Sequence, residues 1–357
     1  MTKSPKASYK IFPQRLTRRH FLKLAAVATA GLSAPGLAAA RETKPPVRIG
    51  TGQHTYELVE NWGELPGGEK YGYGCGIAVD SKDRIYVLTR TKPGLAIFDR
   101  NGKLLEIWEE NSALAKGISQ DTFTKSAHGL YWSKEGGKEF LYFTENKPGC
   151  RVTKTDLKGN VLLRIGNVAE ESRTSIQFTF DNPTDVAISA NGDIYVVDGY
   201  GSQLVHRFSR DGKLIRTIGG KGKENGKFNV CHGIWINTLR NTPEVYIADR
   251  VNSRLEVYSL ELDYKRSLGE VLNPCCFYQH KKLLFIPDLA SRVTILDADD
   301  KLAAHLGDGK NIPDKDKNPA VFIAPHALTV DSRGDLYVME WVPYGRVRKF
   351  KHAPQQT

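Results

Sequence analysis

The feature that most constrains this chain is a phrase that returns about every forty residues. Each copy has an apolar run, a polar or Gly turn, a second apolar run ending near Asp, a third run, another turn and a short tail. One copy reads CGIAVDSKDRIYVLTRTKPGLAIFDRNGKLLEIW (75–108) and another TDVAISANGDIYVVDGYGSQLVHRFSRDGKLIRTIG (184–219). Further copies begin at His128, His232, Cys275 and His326. The β-branched and aromatic residues of DIYVVD, EVYIAD and DLYVME favour strands, and SKD, NGD, RDG and SRG between them are hairpin turns. A four-stranded unit cannot bury both faces alone, so six such copies predict an all-β, six-bladed β-propeller.

The last copy stops after its third strand, RVRKFKH (346–352), whereas residues 56–65, YELVENWGEL, resemble the fourth-strand tails of other copies. Pairing the two would close the ring with an N-terminal strand and remove an open edge. The expected propeller therefore spans 56–352, between a linker (41–55) and a tail (353–357). Loops at about 111–125, 167–180 and 308–321 are expected between blades.

Residues 1–40 belong to a different class of sequence. Arg18–Arg19, preceded by Thr17 and followed by Phe21, Leu22 and Lys23, introduces an apolar stretch that ends in small residues at Ala40. That pattern predicts a twin-arginine signal peptide cleaved after Ala40, with the twin-arginine export machinery as a partner and a periplasmic or secreted location. Gly31, Ser33, Pro35 and Gly36 interrupt the stretch, which argues against a stable membrane anchor after cleavage. The formal charge of +11 suggests nucleic acid until it is divided. Residues 1–40 hold seven of the 51 basic residues and no acid, leaving 44 against 40, or +4. No nucleic-acid partner is expected of that balance. The five cysteines, Cys75, Cys150, Cys231, Cys275 and Cys276, lack C-x-x-C spacing, and their odd number leaves one unpaired in any pairing scheme.

Three histidines occupy one register. His128, His232 and His326 open the second, fourth and sixth copies, where the intervening copies have Cys75, Thr184 and Cys275. First strands line a propeller's central channel, and alternate blades of six lie about 120° apart. Three imidazoles converging there suit a catalytic Zn2+, or another divalent metal, with one coordination position open. The second strands end at the same face, in Arg90, Tyr200, Arg250 and Glu340–Trp341. Arg90 and Arg250 offer planar cations for a substrate carboxylate. Tyr200 offers a hydroxyl that can give or take a proton.

On these residues the chain resembles the peptidyl-α-hydroxyglycine α-amidating lyases, six-bladed propellers of NHL type. The resemblance covers about 70–350 and is strongest at AHGLYW, PTDVAISANGDIYVVDGY, FNVCHGIWI, VYIADRVNSRLEVY and APHALTV. It implies zinc at His128, His232 and His326, an essential tyrosine at Tyr200, an arginine partner at Arg250 and a further arginine at Arg90. It also implies a small-molecule or peptide substrate with a carboxylate. An N-acyl α-hydroxyglycine, a carbinolamide, would be split to a primary amide and glyoxylate. The family often follows its third histidine with an aspartate that helps hold structural Ca2+, but Ala327 follows His326 here. The family's cysteine beside the tyrosine is also replaced, by Gly201. Two other readings compete: a metal-dependent hydrolase or lactonase using Glu340 as base, and a non-catalytic NHL propeller that binds a protein or glycan.

Overall fold

The recurrent phrase folds as expected, into six sheets of four or five strands arranged in a ring. The computed structural model describes residues 45–90, 94–108, 125–310, 320 and 322–355. The signal-like segment 1–40, most of the 111–125 loop and most of the 308–321 loop lie outside the described residues.

Blade 1 comprises Gly74–Val79, Ile85–Thr89, Leu95–Phe98 and Leu104–Trp108; blade 2, Ala127–Glu135, Lys138–Glu145, Arg151–Asp156 and Val161–Gly166. Blade 3 comprises Asp185–Ile188, Ile194–Asp198, Leu204–Phe208 and Leu214–Gly219; blade 4, Cys231–Asn237, Glu244–Asp249, Arg254–Tyr258 and Tyr264–Leu268. Blade 5 comprises Tyr278–His280, Leu283–Asp288, Arg292–Leu296 and Leu302–Leu306. Blade 6 takes Pro325–Val330, Leu336–Glu340 and Arg346–His352 from the C-terminal end.

Ring closure follows the expected strand exchange. Tyr56–Val59 pairs antiparallel with Arg346–His352, with Tyr56 opposite His352 and Val59 opposite Lys349. Two details extend beyond the sequence reading. Arg48–Ile49, within the expected linker, adds a fifth strand outside Tyr56–Val59. The tail continues to pair, Ala353 donating to the Thr55 carbonyl and Gln355 to that of Gly52. The 167–180 segment, expected as a loop, contains the short strand Ser175–Gln177, which runs parallel to Val161–Gly166. It covers what would otherwise be the bare outer edge of blade 2.

The core is divided among the interfaces between blades. Six apolar clusters are present among the described residues, one for each pair of neighbouring blades. At the centre of the second strands stand Tyr86, Tyr142, Tyr195, Tyr246, Phe285 and Tyr337, all essentially without solvent contact. The tyrosine hydroxyls are satisfied at the rim of the core; Tyr86 donates to Asp80 at 3.0 Å and Tyr337 to Asp331 at 3.0 Å.

A second repeated device fixes the face that matters for function. In five blades the second strand ends in a buried acid, Glu145, Asp198, Asp249, Asp288 or Glu340. Four of these pair with an arginine at the start of the third strand: Arg151, Arg254, Arg292 or Arg346. The same carboxylates anchor the chain entering the first strand. Asp249 accepts the Asn229 N–H at 2.8 Å, Glu340 that of Ile323 at 2.6 Å, and Glu145 the Ser126 hydroxyl at 3.1 Å. Those anchors lie two or three residues before His232, His326 and His128.

Because Tyr56 is 3% exposed and lies in the strand that closes the ring, Tyr56→Ala is expected to cost about 3–5 kcal/mol. Ile215→Ala, on a strand position 50% exposed, is expected to cost less than about 0.5 kcal/mol. Urea unfolding of the two variants makes the comparison.

Candidate metal centre

The backbone aims the three imidazoles before any side chain acts. His232 is the extra residue of a β-bulge: Cys231 lies opposite Asp249 and Gly233 opposite Ala248, leaving His232 unpaired with the neighbouring strand. His326 is bulged in the same way, between the pairs Pro325–Glu340 and Ala327–Met339. The register also slips between Ala127 and Leu130, around His128. A bulge bends its strand and redirects one side chain. Cys75 occupies the equivalent bulge in blade 1, so the device belongs to the fold and the choice of residue makes the site.

His128, His232 and His326 are 1%, 2% and 3% exposed, and their ring centroids are 4.7 to 5.2 Å apart. Each turns Nδ1 toward a main-chain carbonyl of the next blade: His128 to Thr184 at 2.6 Å, His232 to Cys275 at 2.7 Å and His326 to Cys75 at 2.9 Å. A carbonyl only accepts, so Nδ1 must carry the proton in each ring and the Nε2 lone pair is left free. The carbonyls come from the three blades that lack a histidine at this register. Gly233 makes one of these approaches sterically feasible, because a Cβ there would run into the Cys275 carbonyl.

The ligand atoms of the three rings lie within 4.8 Å of one another. Nε2 of His128 and His232 are 3.1 Å apart, and Nε2 of His326 is buried with no hydrogen-bond partner. Converging lone pairs repel unless a cation lies between them. With bonds of about 2.0–2.1 Å, a tetrahedral zinc site has nitrogens roughly 3.3 Å apart. The donor set thus fits a divalent metal held by three neutral imidazoles. Burial pushes the His128 and His232 rings well below the usual histidine range and His326 down to about 3, helped by the charge of Arg250 on the latter two. Neutral rings are the form that binds metal.

Tyr200 reaches over this triad from the turn after the second strand of blade 3. Its Oη lies 3.0 Å from Nε2 of His232 and 3.3 Å from Nε2 of His128, and Nη1 of Arg250 donates to it at 3.2 Å. The tyrosine remains 39% exposed, whereas Arg250 is 8% exposed. Asp249 is held by Arg254, and Asp198 accepts main-chain N–H groups of Asp181 and Asn182. Neither acid takes Arg250 into a surface network.

Arg90 is fixed at the same face. Its Nε donates to the Ala127 carbonyl at 2.8 Å, an Nη donates to Asn146, and the guanidinium lies 5.1 Å from the Trp341 ring centre. Trp341 in turn lies against His326 at 5.2 Å and Tyr73 at 4.7 Å. Arg90 therefore borders the centre without touching Tyr200 as Arg250 does. Glu340, the candidate hydrolytic base, is committed to Arg346 and the Ile323 N–H.

Asn146, Tyr73 and the three orienting carbonyls were not found from sequence. Only the alternation of His with Cys or Thr at one register hinted at the carbonyls. The other described histidines stand outside the centre; His206, for example, is packed among Phe178, Phe180 and Phe208 and bonded to Thr217. Below the triad the first strands enclose a cavity of about 390 Å3.

The buried rings also set a pH dependence. His326 has a folded-state pKa near 3 against an ordinary 6.5, so between these values only the unfolded chain takes up the proton. Metal-free protein is expected to lose stability as pH falls from about 6.5 toward 3. Replacing His326 by Gln removes that ring's share, so the slope of melting temperature against pH becomes shallower.

Comparison with known proteins agrees with this architecture. A family model described as a 6-bladed beta-propeller matches residues 173–311. The human NHL repeat-containing protein 3 is 28% identical over 65% of this chain and 64% of its own length. A Caenorhabditis elegans protein named probable peptidyl-alpha-hydroxyglycine alpha-amidating lyase is 29% identical over 38% of this chain and 37% of its own. The chain thus matches less than two thirds of the length of either relative. A solved structure of a Xanthomonas campestris gluconolactonase covers 87% of this chain and 95% of its own, with a TM-score of 0.59 and 13% identity; it is alike in fold. This chain is a six-bladed β-propeller with sequence similarity to NHL repeat-containing protein 3 and to the peptidyl-α-hydroxyglycine α-amidating lyases.

Proposed function

We propose that the protein is a metal-dependent lyase that cleaves an N-acyl α-hydroxyglycine to a primary amide and glyoxylate. The observation that carries this reading is the position of Tyr200 Oη, 3.0 and 3.3 Å from two converging imidazole nitrogens and 3.2 Å from Arg250. A base beside an alcohol-binding cation site is what carbinolamide cleavage requires.

His128, His232 and His326 would hold a divalent ion, which would supply Lewis acidity at the substrate's hydroxyl oxygen. Tyr200, acting as its phenolate, takes the hydroxyl proton at Oη as the C–O bond becomes a carbonyl and the C–N bond breaks. The same proton returns to the departing amide nitrogen, so hydroxyl proton, amide and glyoxylate balance without a redox step. Arg250 orients Oη and offsets negative charge on it while the proton is away. Arg90 grips the substrate carboxylate, in keeping with a guanidinium already held rigid by Ala127, Asn146 and Trp341.

The same reading takes residues 1–40 as a twin-arginine export signal and puts the reaction in the periplasm or outside the cell. Zinc is the metal assigned, since three imidazoles with an open position suit it. A lactonase would use the same ion to activate water, but Glu340 is tied up in its ion pair with Arg346.

Metal-loaded protein is expected to release glyoxylate from N-benzoyl-α-hydroxyglycine. Tyr200→Phe should lower kcat by about 10²–10⁴ while retaining its metal, and Arg90→Ala should act mainly by raising KM. Wild-type protein that hydrolysed a lactone and released no glyoxylate would replace this reading with the hydrolase.

A further inference from the structure

Arg250 is a buried cation whose partners include no carboxylate among the described residues. Nη1 donates to Tyr200 at 3.2 Å, Nε to the Pro274 carbonyl at 3.5 Å and Nη2 to Cys275 Sγ at 3.1 Å. Cys275 directs its own S–H toward the Asn273 carbonyl, 3.6 Å away, and offers sulfur lone pairs to the guanidinium. Its side chain is fully buried, and an S–H directed at a carbonyl, which can only accept, is a neutral thiol.

The same residue serves the metal centre through its backbone, where its carbonyl receives His232 Nδ1 at 2.7 Å. We propose that Cys275 is a positioning residue: its carbonyl fixes the His232 ring and its thiol fixes the Arg250 guanidinium against Tyr200. A carboxylate here would neutralise the arginine, whereas a thiol holds its geometry and leaves its charge available to Tyr200. Cys75 repeats part of the arrangement in blade 1, with its carbonyl on His326 and its thiol directed toward the Tyr73 carbonyl at 3.5 Å. Thr184, at the same register of blade 3, has its hydroxyl turned to main-chain carbonyls of Val197 and Cys231. The two cysteines thus match Arg90 and Arg250, the two arginines that border the centre. The catalytic part of the inference rests on the lyase reading; the geometric part does not.

Cys275→Ala keeps the carbonyl and removes the thiol, and Cys275→Val, apolar and slightly larger, fills the space left by sulfur if the alanine variant fails to fold. In 15N-arginine-labelled protein, the Arg250 guanidinium should give resolved, slowly rotating Nη signals, identified by their loss in Arg250→Lys. Those signals should collapse toward the bulk arginine position in Cys275→Ala or Cys275→Val and return in Cys275→Ser, with bound metal unchanged throughout. On N-benzoyl-α-hydroxyglycine, kcat should fall about tenfold at constant KM and recover in the serine variant. Unaltered Arg250 signals in the folded alanine or valine variant would overturn the proposal. Absence of glyoxylate release by wild-type protein would overturn the lyase reading alone, because the guanidinium signals still decide the role of Cys275.

Discussion

Everything at the functional face depends on a hydrogen bond made three times, from an imidazole Nδ1–H to the main-chain carbonyl of the following blade. It sets the tautomer, points Nε2 at the axis and ties even-numbered blades to odd-numbered ones. An imidazole without that acceptor has a choice of rotamers and tautomers, and three such rings would pay the entropy of ordering when a metal arrived. Here the first strands have already ordered them. The rigidity behind this comes from the ring, whose six interblade clusters and shared closing strand leave no blade free to shift alone.

Charge around the centre is arranged by the same economy. The acids nearest the face, such as Asp249 and Glu340, are occupied with arginines and main-chain N–H groups at the strand ends. They fix the segments entering the histidine strands and leave the centre with neutral imidazoles, a phenol, a thiol and cations. Such a site would suit the anionic substrate of the proposed reaction, because no neighbouring acid takes Arg90 or Arg250 from it. Trp341 adds an apolar wall beside His326 and Arg90, which strengthens electrostatic contacts made there by excluding water.

Much of this was legible in the sequence because repetition makes a register visible. His128, His232 and His326 could be aligned through the strands that follow them, and the unfinished sixth copy at RVRKFKH announced the exchange with YELVENWGEL. Side-chain type at the ends of second strands was equally legible, which is how Tyr200, Arg250 and Arg90 were found. The bulges were not, since a bulge leaves no fixed residue signature when its extra residue is Cys in one blade and His in another. Main-chain acceptors carry no letter at all, so the carbonyls of Cys75, Thr184 and Cys275 could emerge only from coordinates. Ser175–Gln177 was missed because a three-residue strand falls below any periodicity.

The central claim is that three imidazoles far apart in sequence share one ion on the propeller axis. Anomalous diffraction at the zinc edge from zinc-loaded crystals tests it most directly. The account predicts one strong peak, about 2.0–2.1 Å from Nε2 of His128, His232 and His326. Crystals with zinc bound elsewhere and no peak between those nitrogens would contradict it.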